Sequence, residues 1–404
     1  MILFHLNNEL CKWSSMKNQK IYNRLINIDI NTPSSIFLFG PRGTGKTSWI
    51  KTHLKDILYF DLLNTGIFND FLANPARLEE RIPKNFNQHI VIDEVQKIPE
   101  LLNEVHRLIE IYGYRFILTG SSARSLRRKG VNLLAGRALS YTMHPLTCYE
   151  LGFDFSLEAA LQFGLLPSVY HVSDPQHYLE TYITTYLREE ILQEGLMRNL
   201  SQFARFLETA SFSQGQVINL SEIARETAID RKLVSNYFDI LEDLLIGYWL
   251  PVFTKRAKRR LISSPKFYLF DPGVYRTLRP KGPLDSPEEI DGAVLETLFL
   301  AHLRAINDYY RLGYKLFFWR TSNNIEVDFI VYGEKGLFAF EIKRSRKLNR
   351  SDLSGLKAFS ADYKIAKCYL LYGGDHEEYH ENIHAIPFSQ GLSKLIEILR
   401  GNIT

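Results

Sequence analysis

The chain has 404 residues, 45% of them hydrophobic and 23% charged, which excludes a disordered chain and implies two or three domains rather than one core. Its net charge is only +4, so it is no polycation, and any nucleic-acid contact must come from local basic patches. The three cysteines, Cys11, Cys148 and Cys368, are too few and too scattered for a disulfide framework or a cysteine metal site, and they suit a reducing compartment.

In chain order, the N-terminal stretch has neither the basic lead nor the apolar run of a signal peptide. No segment approaches the roughly 20 apolar residues of a membrane span, so a cytoplasmic protein without membrane contact is expected. The first strong signal is Ile36-Phe37-Leu38-Phe39, an apolar run that reads as a buried strand. Gly40-Pro41-Arg42-Gly43-Thr44-Gly45-Lys46-Thr47 follows and matches G-x-x-x-x-G-K-[ST] in full. Its glycines let backbone N–H groups wrap around phosphates, and the next helix, entered at Ser48, adds the positive end of its dipole. Residues 40–48 are therefore the expected ATP-binding loop, with Lys46 on the β- and γ-phosphates and the Thr47 hydroxyl on Mg²⁺. A second apolar strand, His89 to Ile92, ends in Asp93 and Glu94. Asp93 is placed to hold Mg²⁺ through water and Glu94 to polarise the attacking water. A helix over 99–111 comes next.

A third strand, Arg115 to Leu118, runs into Thr119-Gly120-Ser121-Ser122, and beyond it lie Arg127-Arg128-Lys129 and Leu134-Ala135-Gly136-Arg137. The order IVIDEVQKIP, RFILTGSSARSL, LLAGRALSYTMHPLTCYELG resembles the prokaryotic AAA+-type ATPases that end in a domain of unknown function related to PD-(D/E)XK nucleases. The resemblance covers nearly the whole chain. It implies an α/β protein: a P-loop NTPase core of the AAA+ type over 1–153, a helical lid over 154–200, a winged-helix region over 201–275 and a restriction-endonuclease-like α/β domain over 276–404. In AAA+ folds the strand between the two phosphate-site strands ends in a polar sensor, for which Thr119 or Ser121 is the candidate. Arg137 is the candidate arginine finger, in cis or towards a neighbouring subunit of a homo-oligomer, while Arg127, Arg128 and Lys129 read as a solvated face.

Residues 155–200 read as helical, broken at Gly164-Leu165-Leu166-Pro167. Residues 201–270 look like a winged helix-turn-helix: a helix over Phe203–Ala210, a second capped by Ser221, and a third over Arg231–Asp243. That third helix would be the recognition helix, exposing Arg231, Lys232, Ser235 and Asn236. Gly247–Phe253 and Lys266–Phe270 are the wing strands, and between them lie five basic residues in six, Lys255-Arg256-Ala257-Lys258-Arg259-Arg260. A basic wing fits contacts to DNA phosphates.

Further on, Asn324–Val331 and Leu337–Lys343 read as a β-hairpin that presents Asp328, Glu341 and Lys343 together, with Glu341 and Lys343 on one face. Two carboxylates can bind Mg²⁺, and the lysine can orient water for attack on a phosphodiester. The resemblance adds Glu296, on a helix over 292–298, as a further acid. Val327 stands where the nuclease motif carries proline. Asp271-Pro272-Gly273 reads as a turn without chemistry. The expectation is an Mg²⁺-dependent ATPase acting on DNA, with its C-terminal domain cutting or gripping the DNA, and the alternative is a nucleotide-dependent switch on a protein partner whose nuclease-like domain only docks.

Overall fold

The computed structural model describes residues 20–122, 134, 136–187, 200–282 and 287–401; Cys11, Arg127, Arg128, Lys129 and Ala135 lie outside them. The first layer is a five-stranded sheet. Its elements are β1 (Ser35–Phe39), α1 (Lys46–His53), β2 (Leu58–Asp61), α2 (Thr65–Ala73), β3 (His89–Asp93), α3 (Leu101–Tyr112), β4 (Arg115–Gly120) and β5 (Ala138–Thr142). All pairings are parallel and the strand order is β2-β3-β4-β1-β5. β1 and β3 are buried at every position, as expected of central parallel strands covered on both faces. β4 lies between β1 and β3, so Thr119 is the penultimate residue of the strand that separates the phosphate loop from the acidic pair. Helix α3 turns Leu101, Leu102, Val105 and Leu108 inward at helical spacing and stops at Gly113, whose φ of 67° a Cβ would penalise.

The middle of the chain is helical: α4 (Leu157–Phe163), α5 (Pro175–Thr181), α6 (Leu200–Phe212), α7 (Leu220–Thr227) and α8 (Arg231–Asp243). A hairpin of β6 (Gly247–Leu250) and β7 (Lys266–Leu269) follows, with Gly247 opposite Leu269 and Leu250 opposite Lys266. Leu166, Val169, Leu179 and Tyr182 share one apolar cluster with Phe203, Phe206, Val234, Phe238 and Phe267. The segment expected as a lid is thus packed into the same core as the helices that follow it. The cap of α7 is Asn219, which accepts from the Glu222 N–H at 3.3 Å, not Ser221. Asp230 caps α8, accepting from Lys232 N–H at 2.8 Å.

The C-terminal part begins with α9 (Pro272–Leu278) and the 23-residue α10 (Pro287–Tyr309). Then come β8 (Lys315–Arg320), β9 (Glu326–Gly333), β10 (Gly336–Ile342), α11 (Ser354–Asp362), β11 (Lys367–Tyr372), β12 (Glu378–His380), β13 (Ile383–Pro387) and α12 (Phe388–Arg400). They form a mixed six-stranded sheet in the order β12-β13-β11-β10-β9-β8. Helices α10 and α12 cover one face, through Phe299, Leu303 and Leu395, and α11 covers the other, through Leu356 and Phe359. Among the described residues no helix is long and apolar enough to cross a membrane. Cys148 and Cys368 are buried free thiols.

Asp271 does more than make a turn. Its fully buried carboxylate caps α9 at the Val274 N–H (3.0 Å) and also accepts from the Leu165 N–H at 2.7 Å, which fastens α9 to the chain after α4. Burial pushes its pKa up to about 6, although the backbone donors oppose the shift. A folded-state pKa raised above the ordinary value contributes stability that is full below about pH 4 and lost as the pH rises through about 6. The Tm advantage of wild type over Asp271→Asn is therefore expected to shrink as pH rises across that window; an advantage that stays flat would contradict this role.

Candidate functional site

The loop after β1 has its glycines where side chains would be strained: Gly43 at φ 83° and Gly45 at φ 93°, the latter leading into α1. The Lys46 ammonium, 5% exposed as a residue, donates to the carbonyls of Gly40 at 2.7 Å and Pro41 at 3.2 Å. Thr47, the second residue of α1, donates through Oγ1 to Asp93 Oδ2 at 2.8 Å, across the sheet from β3. These two hard oxygen donors fit Mg²⁺. Asp93 also accepts from the hydroxyls of Tyr59 and Thr119. Burial and Asp93 push the Tyr59 pKa upward, which keeps the phenol a donor.

Glu94 follows with a left-handed φ of 61°, and its N–H donates to Thr119 Oγ1 at 3.1 Å. This sparsely populated backbone conformation turns its side chain back towards the phosphate loop, where it lines the same cavity as Lys46 and Thr47. Gln96 Nε2 donates to the Glu94 carboxylate and, at 3.1 Å, to Ser121 Oγ. The two sensor candidates thus divide the work: Thr119 holds Asp93, and Ser121 reaches Glu94 through Gln96.

The cavity measures about 370 Å³. Arg42, Gly43, Gly45, Lys46, Thr47 and Ser48 form its phosphate-loop wall, and Tyr22, Pro167 and His171 also line it. The rings of Tyr22 and His171 stack with centroids 5.7 Å apart. Burial pushes the His171 pKa down, so a neutral imidazole faces the cavity at physiological pH.

Arg24, Tyr59 and Gln96 escaped the sequence reading, because no local pattern marks them. Arg24 is buried and uses its whole guanidinium. It donates to Glu150 Oε1 at 2.9 Å, to the phosphate-loop carbonyl of Thr44 at 2.5 Å, to the His144 carbonyl at 2.6 Å and to the Tyr309 hydroxyl at 3.1 Å. Tyr309 ends α10, so one side chain ties the phosphate loop to the C-terminal part.

Arg137 requires a correction. It lies just before β5, and β5 runs parallel to β1, so Arg137 sits at the sheet edge opposite the phosphate loop. There its carbonyl accepts from Ser35 N–H at 2.9 Å and its side chain pairs with Glu110. A finger in cis is excluded by this polarity; only another chain's phosphates could meet it.

In the C-terminal sheet the register Phe340↔Phe329 sets Glu341 beside Asp328. Asp328 Oδ2 accepts from Ile342 N–H at 2.8 Å, and Lys343 Nζ donates to Glu341 Oε1 at 2.6 Å. Glu296 Oε2, from α10, accepts from the Tyr268 hydroxyl at 2.6 Å. The group missed by the sequence reading is Lys266: its side chain, 3% exposed, comes in from β7 and pairs with Glu326. Burial and then Asp328 push the Glu296 pKa up to about 7, and the same two causes raise Glu341 well above the carboxylate range. Glu296, Asp328 and Glu341 are thus gathered, but each already has a donor from the protein. Among the described residues no three carboxylate, His or Cys side chains converge to hold a metal ion.

Comparison with known proteins divides the chain in three. Residues 32–152 match a family model described as an AAA domain, 154–285 a domain of unknown function (DUF8612), and 291–390 another domain of unknown function (DUF4143). An uncharacterized protein of Mycobacterium tuberculosis is 28% identical over 374 residues, covering 89% of this chain and 81% of that protein. One from Methanocaldococcus jannaschii is 24% identical over 355 residues, covering 79% and 76%. Among solved structures, the Aeropyrum pernix ORC1 protein in complex with DNA aligns with a TM-score of 0.25 and 15% identity, over 67% of this chain and 89% of that one.

Proposed function

We propose that this chain, whose residues 32–152 are an AAA-type ATPase domain, binds and hydrolyses ATP with Mg²⁺ and uses the cycle to act on DNA held by its C-terminal part. The observation that carries the ATPase reading is the meeting of Lys46, Thr47 and Glu94 on one cavity, with Asp93 hydrogen-bonded to Thr47 behind them.

In this reading, the backbone N–H groups of residues 43–47 cradle the phosphates, and Lys46 exchanges the Gly40 and Pro41 carbonyls for phosphate oxygens. Thr47 and Asp93 would hold Mg²⁺, which supplies charge neutralisation on the β- and γ-phosphates. Glu94 accepts the proton of the attacking water. Gln96 and Ser121 fix its carboxylate, and Thr119 fixes Asp93 and the Glu94 backbone. Tyr22 and His171 give the base a planar, uncharged wall.

The DNA reading rests on five exposed basic residues in the run Lys255–Arg260 and on their closeness to the sheet edge that carries Glu326, Asp328 and Lys343. The sheet order and the placement of Asp328, Glu341 and Lys343 support a nuclease-like unit that grips DNA. Its carboxylates already hold lysine, tyrosine and backbone donors.

ATP turnover of wild type and Lys46→Ala, with and without single-stranded, duplex and branched DNA, tests the proposal. Turnover in wild type that DNA stimulates, and that Lys46→Ala abolishes, is expected. Turnover indifferent to every DNA would contradict the DNA reading and favour a switch acting on a protein partner.

A further inference from the structure

The connection between β6 and β7, residues 251–265, is not a free wing. Its backbone pairs with the edge strand β8 at both ends. Phe253 N–H donates to Phe318 O at 2.7 Å and Phe318 N–H to Pro251 O at 3.0 Å; Ser322 N–H donates to Arg260 O at 3.0 Å and Ile262 N–H to Arg320 O at 3.3 Å. The Phe253 side chain, 1% exposed, fills the cluster that holds Trp319 and Phe359. The Tyr363 hydroxyl donates to Lys255 O at 3.0 Å, and Arg259 pairs with Asp362 at 2.7 Å. This loop therefore belongs mechanically to the C-terminal sheet, where an edge strand would otherwise leave backbone groups unpaired.

The docking decides where its charge lies. Strand β8 ends at Arg320, β9 begins at Glu326 and β10 ends at Ile342, so all three meet at one edge of the sheet. Arg260 sits at that edge, where its carbonyl accepts from Ser322 N–H, and Lys266 enters the cluster from the loop's far end. Arg256, Lys258 and Arg260 are exposed and have no acidic partner among the described residues. Beyond β10, Arg346, Lys347 and Arg350 are exposed as well. From β8 to β10 is two strand spacings, roughly 10 Å, so cations flank the cluster on both sides.

Helix α8 has the opposite balance. Helices α7 and α8 together carry three basic residues, Arg225, Arg231 and Lys232, against five acids, Glu222, Glu226, Asp239, Glu242 and Asp243. A polyanion brought to that surface meets net repulsion, whereas the loop from Thr254 to Arg260 carries five cations and no acid.

We propose that the DNA-binding surface of this chain is the rim of the C-terminal carboxylate cluster, with Arg256, Lys258 and Arg260 of the docked loop as its phosphate contacts, and that α8 does not enter a groove. This inference rests on the DNA reading above and specifies its surface. The rim contacts phosphates, so binding is salt-dependent and nearly blind to sequence.

The test is fluorescence anisotropy of a labelled duplex with the full-length chain across a salt titration. It compares wild type, the triple variant Arg256→Gln/Lys258→Gln/Arg260→Gln and the double variant Arg231→Gln/Lys232→Gln, with thermal melts confirming that all three fold. Each lost phosphate contact removes about 0.9 from the slope of log K against log salt, so the triple variant should flatten it by about 2.7 and weaken binding on the order of 10-fold or more. The α8 variant should stay within about twofold of wild type. Loss of binding in the α8 variant with the loop triple unaffected would overturn the inference and leave the DNA reading standing. A wild type that binds no duplex would overturn both.

Discussion

Glu94→Gln is expected to bind ATP with near wild-type affinity and to hydrolyse it roughly 10²–10⁴-fold more slowly. The amide keeps the size and the contact with Gln96 but cannot accept the proton of the attacking water. Binding and hydrolysis separate because the phosphate-holding groups are distinct from Glu94: Lys46 comes from α1, Thr47 pairs with Asp93, and neither touches the Glu94 carboxylate. Single-turnover hydrolysis and nucleotide binding, measured on the same preparation, check it. Equal loss of binding and hydrolysis would show that Glu94 serves the loop's structure instead of the chemistry.

Arg24→Ala is expected to lower stability by about 3–5 kcal/mol, because it strips the cation from a carboxylate that stays inside the protein. The Glu150 side chain has no exposed area, and the Arg24 side chain is 6% exposed. Glu150 would keep the Leu25 and Thr147 N–H groups, each at 2.8 Å, but these do not neutralise its charge. The same substitution frees the Thr44 carbonyl and the Tyr309 hydroxyl, so the phosphate loop should loosen and the KM for ATP should rise. Arg24→Lys restores charge without the planar fork that serves four partners at once, and it should recover stability only in part. A melting temperature for Arg24→Ala equal to that of wild type would contradict the buried network.

The features legible in the sequence are those with local causes. Residues 40–48 announce themselves by glycine spacing and by the apolar strand before them. Asp93 and Glu94 end a strand whose burial is visible in four apolar or aromatic neighbours. Helix α8 occupies Arg231–Asp243, the bounds read from its apolar period. The features that escaped are set by distant pairing. Arg24 lies 126 positions before Glu150, and Lys266 meets Glu326 only because β7 abuts the C-terminal sheet. Arg137 looked near the phosphates in sequence, yet the polarity of a parallel sheet sends it to the opposite edge. The wing strand expected to reach Phe253 stops at Leu250, since Phe253 pairs with Phe318 instead. The α7 cap fell to Asn219 rather than Ser221 because the helix starts two residues earlier, and the side chain in the extended position before it takes the Glu222 N–H.

Phosphate release from ATP and Mg²⁺ by purified wild type beside Lys46→Ala decides whether Lys46 and its neighbours make a working nucleotide site. Steady turnover is expected in wild type and none above background in the variant. Equal turnover in both, or none in wild type despite tight ATP binding, would contradict it.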